Sequence, residues 1–271
     1  DLRCRTGRPV IRLGRCKAAP PPVKIPSFLY LRAMDTFVYF NRMYLSSFQL
    51  PDFITPPSDF IGLERENAVT IQPRNLPHWR QEGASYFLTF RMEDALPRQF
   101  WDDWYRQADE ARRRGESDPR GHRQTEEEQR ESMKRLEDEL DAGHGRCWLR
   151  DPELRRILGD ILLHFQDERY RMHAFVIMPN HVHAAVQPLP GHPLSALLKA
   201  WKSFSAHCIN KAAGATGTFW HRDTFDRILR DADHFRRVVR YIIRNPAQAG
   251  LSSREASVWV HPDVATWRNV A

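Results

Sequence analysis

The sequence predicts an α+β fold of the ferredoxin-like, split βαβ kind, one antiparallel sheet with helices on one face. Two observations carry this. From Ser85 to Gln248, β-favouring segments and helically spaced apolar segments follow in the order strand, helix, strand, strand, helix, strand, helix. The first six are the β-α-β-β-α-β order of that fold. The two middle strands are joined only through Pro179-Asn180, a connection short enough for direct antiparallel pairing. The second face of such a sheet is left free for a ligand, as single-strand-binding sheets use it.

Each element has its own local cause. Residues 1–75 read as a basic, proline-rich extension of poor order: Arg3, Arg5, Arg8, Arg12, Arg15 and Lys17 precede Pro20-Pro21-Pro22, with further prolines after. Residues 76–271 read as the folded domain. Ser85–Arg91 is aromatic and β-favouring, a strand. After Pro97 a long helical stretch turns highly charged. Residues 106–141 read as a charged helical insertion, broken near Pro119 and Gly121, with Met133, Leu136 and Leu140 on one side. Its carboxylates and cations read as a solvated face. Asp151-Pro152 has the residue types of a helix start, and Leu154, Ile157, Leu158, Ile161, Leu162 and Phe165 recur at helical spacing behind it. Tyr170–Met178 and His181–Gln187 are the paired strands. Leu194, Leu197, Leu198, Trp201, Phe204 and Cys208 trace the apolar face of the next helix. A short strand lies within Phe219–Leu229. A last helix runs from about Asp231 to Gln248 and closes at Gly250.

Composition narrows the partners. The formal net charge of +7 favours an anionic one, nucleic acid or an anionic membrane surface. Four scattered cysteines, none in a CxxC, fit neither a zinc finger nor a disulfide scaffold and suit a reducing cytoplasm. The sequence holds no apolar run of about 18 residues, so no membrane partner is expected.

Three local features carry chemistry. His181-Val182-His183 lies inside an apolar strand, where alternate residues share a face, so two imidazoles can reach one divalent metal while Val182 points into the core. Tyr241 and Asn245 are four residues apart on the last helix and share one of its faces, with Arg237 one turn before. Pro246 disfavours helical geometry at Asn245, which would turn the amide toward a metal. Taken one at a time, each has an ordinary structural explanation: exposed strand histidines, a packing aromatic, a helix end.

Together, and with Met178-Pro-Asn180, Trp201-Lys-Ser-Phe204, Gly217-Thr-Phe-Trp220, Phe225-Asp-Arg-Ile228 and Phe235-Arg-Arg-Val-Val-Arg-Tyr241-Ile, they resemble the REP-associated tyrosine transposases of the HUH superfamily of single-tyrosine transposases. The resemblance runs from about Asn75 to about Trp267. It implies a ferredoxin-like catalytic core, Mg²⁺ or Mn²⁺ with no small-molecule cofactor, and single-stranded DNA hairpins as substrate, cut and rejoined through a 5′-phosphotyrosine. It implies that His181 and His183 hold the metal, that Asn245 completes the site, and that Tyr241 is the nucleophile. The chain departs from the family in the N-terminal extension, in the charged insertion, and after Asn245-Pro246, where Ala-Gln-Ala-Gly-Leu replaces a stretch that is often basic.

DNA contact calls for cations, and Lys199, Lys202, Lys211, Arg227, Arg230, Arg237 and Arg244 are the candidates. One tyrosine cuts one strand, so a monomer acting in sequence or a homodimer would serve. The rival expectation is a domesticated relative that grips hairpins without cutting. No general base for Tyr241 is legible.

Overall fold

The structure, a computed structural model, describes residues 44–64, 70–72, 78–117 and 126–267. Its centre is a five-stranded antiparallel sheet. In chain order the strands are β1 (Phe53–Ile54), β2 (Thr70–Gln72), β3 (His78–Arg80), β4 (Tyr86–Arg91), β5 (Tyr170–Ile177), β6 (His181–Pro188), β7 (Phe225–Ile228), β8 (Ser257–Val260) and β9 (Ala265–Thr266). The helices are α1 (Arg98–Ser117), α2 (Glu126–Asp141), α3 (Pro152–Leu163), α4 (Leu194–Ala213) and α5 (Ala232–Gln248). The sheet runs β7-β4-β6-β5-β8, while β1 pairs with β9 and β2 with β3. Strands β4 to β7 and helices α3 and α4 are the expected βαββαβ core. Strand β8 adds an edge beside β5 that the sequence expectation lacked.

Residue alternation along β6 settles the layers. Val182, Ala184 and Val186 face one side, with Leu88 and Phe90 of β4 and Phe175 of β5, under α3 and α4. His181, His183 and Ala185 face the other. There α5 lays Phe235, Val238, Val239 and Ile242 over Ala174, Val176 and Val258. So α3 and α4 share one face as expected, but α5 covers the face expected to be free. The apolar stripe of α5 explains it, since that stripe has no other surface to bury against.

Two local expectations meet different outcomes. Asp151 does cap α3, its side chain accepting from Glu153 N at 2.8 Å. Pro246 does not push Asn245 out of the helix. Helix α5 runs through both, and the lost N–H is tolerated because only Ala247 and Gln248 follow.

The N-terminal expectation is revised. Residues 44–64, placed by sequence in a poorly ordered extension, pack along the sheet. Leu45 N donates to Val258 O, Phe60 meets Phe235 edge-on, and Leu63 N donates to Leu229 O. Gly62 lies so close to Arg230 that an added Cβ would sit 2.5 Å from its carbonyl oxygen. The basic arm before residue 44 lies outside the described residues, as does the Met133 side chain.

Candidate active site

The site is built where β6 begins. Strand pairing sets His183 opposite Thr89 of β4 and Val176 of β5. Both histidines are 1 % exposed. Their Nε2 atoms lie 3.1 Å apart. The outer nitrogens are tied down: His181 Nδ1 lies 2.8 Å from Asn180 Oδ1, and His183 Nδ1 lies 2.8 Å from Thr89 Oγ1. Asn180 presents its oxygen because its Nδ2 donates to Leu140 O and His144 O. His181 therefore carries its proton on Nδ1 and shows a bare Nε2 lone pair toward its partner, as a metal-binding imidazole does. Burial holds both rings neutral, His181 down at about 3 and His183 well below its usual range, the latter helped by His181.

Helix α5 delivers the nucleophile candidate. Tyr241 Oη is 3.2 Å from His183 Nε2, and Asn245 Nδ2, one turn on, donates to Oη at 3.0 Å. Phe87 stacks on the His183 ring and meets Tyr241 edge-on, fixing both rings from the β4 side. Sequence reasoning thus named four residues, His181, His183, Tyr241 and Asn245, that the fold brings together. The helical spacing places Asn245 there, and no distortion by Pro246 is involved.

It missed two. The last turns of α2 cap this end of the sheet, with Leu136 and Leu140 fully buried. The adjoining stripe of α2 carries Glu137 and Asp141. The Glu137 charge lies near enough to Tyr241 to act on its phenol. Asp141 Oδ1 is 3.9 Å from His181 Nε2. Burial raises the Glu137 carboxyl above its usual range, with Arg227 acting against the shift. Asp141 is pushed up to about 7 by burial and then by Glu137 and Asp138. Tyr241 is raised well above an ordinary phenol, first by burial and then by the charges of Glu137 and Asp141. Apart from the bland charge pattern of α2, the sequence holds no signal for this pair.

The donor set fits a divalent cation. Two neutral imidazole nitrogens converge, and Asn245 Oδ1 and Asp141 Oδ1 are buried with no hydrogen-bond partner among the described residues. Among the described residues no group of three His, Cys, Asp or Glu side chains could hold a metal ion, so a third donor beside the two imidazoles would have to include the Asn245 amide.

The seven candidate DNA-contact cations separate. Arg227, Arg230 and Arg237 gather around His234, lowering it to about 4 together with its burial, the larger cause. All three are exposed, on or beside the α5 face. Lys199 and Lys202 lie elsewhere, in a groove of about 690 Å³ that Arg80, Trp220 and Arg222 also line. Lys202 donates to Arg222 O, Asp223 O and Thr224 Oγ1, and burial lowers it to about 8, so it ties the loop before β7 to α4. Lys211 and Arg244 are exposed and join neither group. No helix among the described residues is long and apolar enough to cross a membrane.

Comparisons with known proteins agree in part. The family described as "Transposase IS200 like" matches residues 149–245, a span that holds both histidines, Tyr241 and Asn245. No curated protein matches. Among solved structures, "Structure of the REP associates tyrosine transposase bound to a REP hairpin" is similar at 15 % identity over 65 % of this chain and 75 % of that one. Its TM-score of 0.34 is too low for that likeness to carry weight.

Proposed function

From the match of residues 149–245 to the IS200-like transposases, we propose that this chain nicks single-stranded DNA and transfers the cut end through a 5′-phosphotyrosine on Tyr241. The observation that carries the proposal is the placing of Tyr241 Oη 3.2 Å from His183 Nε2, beside two neutral imidazoles whose Nε2 atoms are 3.1 Å apart. A tyrosine packed for structure alone has no need of such neighbours.

His181, His183 and the Asn245 oxygen would hold Mg²⁺ or Mn²⁺. Bound there, such an ion polarises a phosphate oxygen and orients the scissile phosphorus. The chain's own groups do the rest. Phe87 and the Asn245 amide fix the phenol ring and its oxygen, so attack starts from one geometry. Oη bonds to phosphorus, the bond to the 3′-oxygen breaks, and that oxygen leaves as a hydroxyl. The phosphodiester energy is kept in the tyrosine ester, so a second 3′-hydroxyl can take the strand back. A folded single strand, a hairpin, is the partner this chemistry suits. Its phosphates would run over Arg227, Arg230 and Arg237, the cations gathered around His234 at the start of α5, with Lys199 a secondary contact. A monomer acting in sequence or a homodimer in the cytoplasm would suffice.

The test is a denaturing gel of labelled hairpin oligonucleotides incubated with the protein and Mn²⁺. A protein-linked 5′ adduct is expected with the wild type. Tyr241→Phe should abolish it while hairpin binding persists. Cleavage that survives Tyr241→Phe would move the chemistry to a water nucleophile. Binding without any cleavage would favour the hairpin-gripping alternative.

A further inference from the structure

We propose that residues 44–64 form a strap that clamps helix α5 in place, so that the strand cutting proposed for Tyr241 depends on it. The inference rests on Tyr241 being the nucleophile and concerns what keeps that side chain at the histidines.

The strap crosses the sheet in the order of its strands. Leu45 N donates to Val258 O of β8 at 3.0 Å. Phe53 and Ile54 then pair with Thr266 and Ala265 of β9. Asp59 forms an ion pair with Arg171 of β5, and its carbonyl accepts from Gln187 Nε2 of β6 at 3.0 Å. Ile61 O accepts from Ser85 N, just before β4, at 2.8 Å, and Leu63 N donates to Leu229 O, just after β7, at 2.9 Å. Read from the β8 edge, the sheet runs β8-β5-β6-β4-β7, the same order. The strap is thus anchored to the sheet from edge to edge without using α5.

On its way it grips the first turns of α5. Ile54 is buried in one cluster with Phe235, Val238, Val239 and Ile242. The Ile54 carbonyl accepts from Arg236 Nε at 3.3 Å. The Phe60 ring meets Phe235 edge-on at 5.1 Å, and Phe235 meets His173 of β5 at the same distance. Gly62 closes on Arg230, immediately before the Asp231 cap of α5, where an added Cβ would stand 2.5 Å from the carbonyl oxygen. Strap and sheet therefore both hold the start of the helix, and Tyr241 is delivered further along it.

Leverage gives the clamp its effect. Between Phe235 and Tyr241 the helix rises about 9 Å. A tilt of about 5° at the first turn would move the phenol oxygen by about 1 Å over that length. A reacting atom misplaced by about that much loses up to about 100-fold in rate. The apolar stripe of α5 holds it to the sheet, but apolar burial has no preferred direction. The Arg236 hydrogen bond and the close approach at Gly62 supply one.

The experiment uses the full chain, a labelled single-stranded hairpin and Mn²⁺. Phe60→Ala takes a ring out of the clamp, and Gly62→Ala pushes the strap away from Arg230. Each should lower the single-turnover rate constant for adduct formation on pre-bound hairpin by about 10–100-fold, with hairpin affinity unchanged. Phe60→Tyr keeps the ring and should keep the wild-type rate. Hydrogen exchange read by mass spectrometry should quicken in α5 of the two alanine variants and stay at the wild-type level in β5 and β6. A wild-type rate in either alanine variant overturns the proposal. Faster exchange throughout the sheet as well as in α5 overturns it too, and makes the strap a general support of the fold. If the wild type itself forms no adduct, the strand-transfer reading fails and takes this proposal with it, whereas an adduct that forms undiminished in the variants removes only the clamp.

Discussion

Asn180 serves two elements with one amide. Its oxygen faces His181 Nδ1, and its nitrogen holds Leu140 O in the last turn of α2 and His144 O just beyond it. Replacing it with alanine frees the His181 ring to turn and to change tautomer. Asn180→Ala should therefore weaken Mn²⁺ binding by about 10–100-fold, as loss of a group orienting a metal-bound histidine does. Titration followed by electron paramagnetic resonance measures it, and an unchanged affinity would show that the ring is held by packing alone. At this scale the sequence was legible wherever spacing does the placing: two residues on a strand for His181 and His183, four on a helix for Tyr241 and Asn245. Glu137 and Asp141 were not legible. A charged helix looks the same whether its carboxylates meet water or a phenol brought near from a distant part of the chain.

Helix α3 shows how one buried charge ties elements together. Arg155 donates to the carbonyls of Leu149, Arg150, Arg254 and Glu255 and to Ser257 Oγ, joining the turn before α3 to the segment that leads into β8. Burial lowers it to about 10, so the guanidinium remains charged at neutral pH. Arg155→Ala leaves several buried acceptors without a donor and should cost about 3 kcal/mol or more in urea unfolding, with the slope unchanged. A loss well under that would mean water replaces the guanidinium. Helices α3, α4 and α5 were readable because their apolar stripes repeat over several turns. Strand β8 was not, since Ser257–Val260 is four residues long and its pairing with β5 is set from outside the segment. The layering of α5 was also hidden. Its stripe says that it buries a face and does not say which face of the sheet receives it.

Across the whole molecule, the buried histidines link stability to pH. His173 stands at the register shift in β5, against Phe235 and 3.2 Å from Ser85 Oγ, and burial lowers it to about 3. Unfolded, it would titrate near 6.5. Below that pH the unfolded chain takes up a proton that the native chain refuses, so native stability falls as pH drops from about 6.5 toward about 3. The share from this one residue is at most about 1.4 kcal/mol per pH unit. Urea midpoints across that range should fall less steeply in His173→Gln, and parallel slopes would place the linkage elsewhere.

The hold on α2 has a thermal consequence. Its described side chains enter the core only through Leu136 and Leu140, whereas every strand of the sheet core is buried between helical layers or flanked by another strand. Such an appended helix opens locally at a lower free-energy cost than the sheet it caps. Warming would then lift the end of α2, with Asp141, from the histidines while His181, His183 and Tyr241 still stand in register. The proposed strand cutting would then fade reversibly over a temperature range in which the sheet remains folded.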